Sequence, residues 1–90
     1  MMIEGADGAL ETSTALTTYL IVGMVKTGIA TRDQAAILLS EIADGLGKLD
    51  KDMPDDLRRT AEGADVLRRT RGMIMVVRGR ATAIAEGAPL

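Results

Sequence analysis

The 90-residue sequence is long enough for one domain but buries little more than half of its unfolded surface, so its stability margin is thin. Cys and His are both absent, which removes disulfides, thiolate chemistry and the imidazole that most often moves protons or ligates metals near neutral pH, and argues against an enzyme. With no Phe or Trp and Tyr19 alone among aromatics, the interior must be aliphatic and alanine-rich, and the net charge of −2 divides into an acidic first half and a basic second half.

A first helix is expected from about residue 8 to 27. Asp7 can cap it by accepting from free first-turn amides, and Glu11 lies near the positive end of its dipole. Leu10, Leu16, Leu20 and Met24 give it a broad apolar face. Thr12-Ser13-Thr14 and Thr17-Thr18 are mediocre helix formers, so packing has to hold the segment. Gly28 suits a left-handed ending, with Ile29 folding back on Met24.

The second helix is expected over residues 32–46. Thr31-Arg32-Asp33-Gln34 has the form of a capping box, in which Thr31 caps and Gln34 reaches back. Ala35, Leu38, Leu39, Ile42, Leu46 and Leu49 follow at spacings of three and four, the signature of one helical face. Gly45 and Gly47 mark its end, and residues 48–53 read as a polar connection.

A third segment starts at Pro54, whose fixed φ suits a first helical position, with Asp55 and Asp56 at the positive end of the dipole. It covers residues 54–71, and a fourth covers 73–86. The two are either continuous or broken at Gly72, where glycine costs about 1 kcal/mol relative to Ala. Thr60, Gly63, Leu67, Thr70, Ile74, Val77, Ala81 and Ile84 recur at alternating spacings of three and four, a heptad seam. Gly72 and Gly79 fall on the opposite side of the helix.

The fold class this implies is all-α: a three- or four-helix antiparallel bundle that self-associates through helix one and the seam. Leu67, Ile74, Val77, Ala81 and Ile84 are the expected interaction residues. An interior poor in large side chains favours a shared core, most simply in a homo-oligomer.

Arg68, Arg69, Arg71, Arg78 and Arg80 stand in a stretch, residues 66–85, that contains no acid. They could contact phosphate or an acidic partner. Ion pairing is the alternative: Glu62 lies four positions from Arg58 and Asp65 four from Arg69, while Glu41, Asp44, Glu4, Asp7 and Glu11 are candidates on other helices. Net negative charge and the lack of stacking aromatics weaken a nucleic-acid role.

A helix-turn-helix in residues 31–40 fails because the apolar stripe runs on to Leu46 before any sharp turn. Asp50, Asp52, Asp55 and Asp56 lack the spacing, central glycine and closing glutamate of a calcium loop. Met73 and Met75 could mark an adaptable surface, but core filling is the simpler use. No cofactor or metal is expected.

The acidic N-terminus lacks the basic start of a signal peptide, and the apolar stretch Thr17–Val25 is about half of a bilayer span. A soluble cytoplasmic protein that does not enter membranes is expected. Its function is expected to be that of a non-catalytic interaction module (adaptor, inhibitor or assembly subunit), with a nucleic-acid-associated regulator as the alternative.

Overall fold

The computed structural model describes the backbone of residues 2–90 and the side chains of residues 8–90. It is all-α, with α1 Met2–Lys26, α2 Arg32–Asp52, a single turn α3 Asp55–Arg58, and α4 Ala61–Ala85. Among the described residues there is no strand, and no helix is long and apolar enough to cross a membrane.

Helix α1 begins before the expected cap. Asp7 falls inside it, and a capping contact from its side chain lies outside the described residues. The far end forms as expected. Gly28 adopts φ +79°, its amide donates to Val25 O at 3.1 Å, and the Ile29 amide donates to Met24 O at 2.9 Å. This is the double closure of a Schellman motif, although Ile29 itself remains exposed.

Helix α2 opens on the capping box. The Gln34 amide donates to Thr31 Oγ1 at 3.1 Å, and the Thr31 amide donates to Gln34 Oε1 at 2.9 Å. The helix does not stop at Gly45 or Gly47. It continues through the expected polar connection to Asp52, because Leu46 is still buried against α4. Pro54, which disfavours helical conformation in the residue before it, ends it at Met53 (ψ 126°).

The break in the second half also falls elsewhere than expected. It lies at Arg59 and Thr60, and α4 runs unbroken through Gly72 and Gly79. Thr60 is extended, with ψ 155°, and its Oγ1 accepts from the Gly63 amide at 2.9 Å, a side-chain cap that starts a new helix. A Cβ at Gly63 would overlap the Leu57 carbonyl, so the close turn between α3 and α4 requires glycine there. At Gly72 and Gly79 a Cβ would meet nothing within 4 Å, and packing of the opposite side keeps the helix intact.

That opposite side is the heptad seam. Gly63, Leu67, Thr70, Val77, Ala81 and Ile84 are buried and Ile74 is half-buried, while Thr60 is exposed. The seam faces the chain's own α2, where Ala35, Leu39, Ala43 and Leu46 are buried. The α2–α4 pair is antiparallel, since the first turn of α2 meets the last turn of α4 through Arg32 and Ile84, and Asp50 meets Arg71. Thr70, the buried polar residue of the seam, donates to Val66 O at 2.8 Å. The stripe expected to join two chains is therefore enclosed within one.

Helix α1 adds Ile21 and Val22 to this core, with Val25 packed against it. From Gly8 to Leu20 its side chains are exposed, except Thr14 and Thr18, which are half-buried. The molecule is correspondingly elongated, with extents of 45 × 26 × 16 Å and a radius of gyration of 14.7 Å, against about 12 Å for a compact chain of this length.

Candidate functional site

The arginines of α4 are largely matched to carboxylates. Arg68 and Arg69 both pair with Asp65, the latter at 3.0 Å, and Arg69 lies 3.7 Å from Glu11 of α1. Arg71 Nε donates to Asp50 Oδ2 at 2.8 Å, and Arg78 Nη2 to Asp44 Oδ1 at 3.0 Å. Arg58 does not take Glu62, the expected partner on its own segment. Thr60 interrupts the helix between them, and Arg58 instead reaches Asp50, Asp55 and the Met53 carbonyl. Among the described residues Arg80 has no carboxylate partner.

Asp50 is the hub of these contacts. The Arg71 guanidinium, bonded to its carboxylate, holds the Asp50 carboxyl below the ordinary carboxylate value, with Arg58 acting in the same direction and partial burial opposing both. Arg71 is correspondingly raised. The four aspartates considered for calcium do not converge, and among the described residues no three acids stand close enough to hold a metal ion.

One cationic contact had no sequence signal. Arg32 Nη1 donates to Ile84 O at 3.1 Å and to Ala88 O at 2.8 Å. It closes the carboxyl end of α4, where free carbonyls and the negative end of the dipole meet a positive charge. Its local sequence shows only a residue after an N-cap.

The open surface lies between α1 and α4. These helices run parallel: Glu11 approaches Arg69 at one end, while Ile21 and Val22 join Val77, Ala81 and Ile84 at the other. They diverge enough to leave a groove of about 820 Å³. Its α1 wall includes Ala15, Thr18 and Tyr19, and its α4 wall includes Gly72, Val76, Gly79 and Ala83, with Arg80 on the rim. The lining is mainly apolar or small, and the glycines bring bare helix backbone to the surface. Tyr19 is 71% exposed and Val76 72%; Leu16 and Leu20 on α1 and Met75 on α4 are exposed as well, outside the groove lining.

Of the expected seam residues, Leu67, Val77, Ala81 and Ile84 are buried in the α2–α4 interface, with Ile74 half-buried beside them. Val77 also reaches the groove floor. The expected arginines do not form one face: Arg71 and Arg78 turn toward α2, while Arg69 and Arg80 border the groove. Met73 lines the groove and Met75 is 75% exposed, so neither is a core-filling residue in the usual sense. Comparison with protein-family models, curated proteins and solved structures finds nothing that matches this chain.

Proposed function

We propose that this chain is a non-catalytic protein-interaction module that binds a partner helix along the groove between α1 and α4, homo-oligomerisation being one form of that binding. The observation carrying this reading is an apolar, small-residue groove about 820 Å³ in volume, lined in part by the exposed side chains of Tyr19 and Val76. A contiguous exposed apolar surface is the usual mark of an association site. Bare glycine backbone at Gly72 and Gly79 lets a second helix approach closely, and a helix laid in an apolar groove is a recurrent recognition mode. With α1 in place beside α4 and α2 packed on both, an added helix gives the whole assembly the character of a bundle.

The nucleic-acid reading has less in its favour. Four of the five arginines assigned to a phosphate-binding face already have carboxylate partners within the chain. Neutralised arginines release few counterions from a nucleic-acid backbone.

The test uses the full chain as bait in extract from its source cells, with Val76→Glu and Lys48→Glu compared against the unaltered protein. Val76→Glu places a charge in the groove, while Lys48 is an exposed position on α2. The expected result is a set of captured proteins, or of added copies of the chain itself, lost with Val76→Glu and kept with Lys48→Glu. Identical behaviour of the three baits would remove the groove reading.

A further inference from the structure

We propose that the occupant of the groove is a helix of another protein, antiparallel to α1 and α4, with a carboxylate in its first turn that pairs with Arg80 and an apolar side of about three turns behind it. This rests on the groove being an association site, and goes further by naming the chemistry and direction of what fills it.

Charge sets the acid. Arg68, Arg69, Arg71 and Arg78 of α4 all reach carboxylates within the chain. Arg80 is half-buried on the groove rim and has no carboxylate partner among the described residues. It has given up part of its hydration without a charge in return. At the other end of the groove Glu11 and Asp65 both approach Arg69, so that end asks for no added charge. An occupant complements this rim with one acid at the Arg80 end and uncharged side chains elsewhere.

The walls set the conformation. Gly72, Val76, Gly79 and Ala83 line one wall at spacings of four, three and four, and Glu11, Ala15 and Thr18 line the other at four and three. A helix repeats at the same period and meets both walls along their length, whereas a strand, repeating every two residues, does not. The level of Arg80 is 11 positions beyond that of Arg69, about 16 Å or three turns of helix.

Direction follows from the dipoles. Helices α1 and α4 are parallel, so their negative, carboxyl-terminal ends lie together at the Arg80 end of the groove. An antiparallel third helix sets its positive end there. A first-turn Asp or Glu then stabilises its own dipole while meeting Arg80.

Among the described residues, no helix of the chain itself has this form. In α1 Glu11 is on the groove wall, while the exposed Leu16 and Leu20 lie outside the lining. In α2 the side carrying Ala35, Leu39, Ala43 and Leu46 is already buried. In α4 the open side carries Arg80 itself, so a second copy of it would oppose like charges. The complementary helix therefore belongs to another protein.

A displayed library of helix-favouring peptides, about five turns long and with acidic, basic, small and apolar residues mixed at every position, is selected on the immobilised full chain. Retained peptides are expected to carry Asp or Glu in the first turn, followed by small or apolar residues at spacings of three and four. Selection on Arg80→Glu should replace that acid by Lys or Arg, and Val76→Glu should retain no pool. Arg80→Gln should weaken a retained peptide roughly fivefold. A spin label at that peptide's first turn should broaden the amide signals of Ala83 and Ala85 more than those of Glu11 and Ala15. Circular dichroism checks that each variant of the chain stays helical.

Retained peptides without a first-turn acid overturn the proposal, as does an acid preference unchanged by Arg80→Glu or a label nearer Glu11. In these cases loss with Val76→Glu would still uphold the groove as an association site. A dimer of the chain that Val76→Glu dissolves puts a second copy in the groove and overturns the foreign helix alone. No retained peptide, or a pool indifferent to Val76→Glu, removes both readings.

Discussion

Arg71 Nε donates to Asp50 Oδ2 at 2.8 Å, tying the last turns of α2 to the middle of α4. Arg58 approaches the same carboxylate from the α3 turn, so one acid organises three segments. Because these cations lower the folded-state pKa of Asp50, its contribution to stability is present above the ordinary carboxylate value of about 4 and is lost as pH falls through the lower folded value. The thermal midpoint of the unaltered protein should therefore decline more steeply below about pH 4 than that of Asp50→Asn. Superimposable acid limbs in the two melts would show that Asp50 carries no such linkage.

Glycine substitutions should separate the two sides of α4. Gly63→Ala forces a Cβ into the Leu57 carbonyl and should cost about 1–3 kcal/mol as the α3–α4 turn is displaced. Gly72→Ala meets open space and should raise stability by up to about 1 kcal/mol through helix preference. Chemical denaturation of both variants at low protein concentration is the measurement. A stabilised Gly63→Ala would contradict the close approach at that turn.

Glycine also marks how far the fold is readable in the sequence. The capping box at Thr31, the Schellman ending at Gly28 and the buried periodicity of the seam are local patterns, and each has its structural counterpart. Gly45 and Gly47, which the sequence reads as the end of the second helix, do not stop it, and at Gly72, where the sequence leaves both outcomes open, the helix is continuous. Gly45, Gly47 and Gly72 stay helical because Leu46 on α2 and the seam residues of α4 bury apolar surface that outweighs the intrinsic cost. The real break depends on Thr60, a side-chain cap that the heptad reading had absorbed into the stripe. A heptad stripe identifies a buried side but carries no information about whether the covering helix belongs to the same chain. The groove was still less legible, because it depends on the divergence of α1 from α4, which is not a property of either helix alone.

Arg32 gives a test of long-range capping. Its two bonds to the carbonyls of Ile84 and Ala88 link the start of α2 to the end of α4. Arg32→Met keeps the apolar stem and removes the donors, and should cost about 1–2 kcal/mol. Hydrogen exchange should accelerate locally at the amides of Glu86, Gly87 and Ala88, which close the last turn. Unchanged protection there would mean that the arginine adds nothing to the helix end.

Leu39 and Leu16 should respond to truncation in different ways. Leu39 is wholly buried between α2 and its neighbours, so Leu39→Ala should cost about 2–5 kcal/mol at every protein concentration. That is a large share of the roughly 5–15 kcal/mol typical of a domain, and partial unfolding at ambient temperature is expected. Leu16 is 63% exposed, so Leu16→Ala should leave the stability of the lone chain within about 0.5 kcal/mol. Under the proposed groove binding, homo-oligomerisation, where it occurs, stabilises the folded state by mass action, and the unaltered protein should then melt higher as it is concentrated. Val76→Glu, in the groove, should lose that dependence, while Leu16→Ala, outside the groove lining, should keep it. Melting curves across a hundredfold range of concentration distinguish the two cases, and a midpoint indifferent to concentration in the unaltered protein would mean that copies of the chain do not fill the groove.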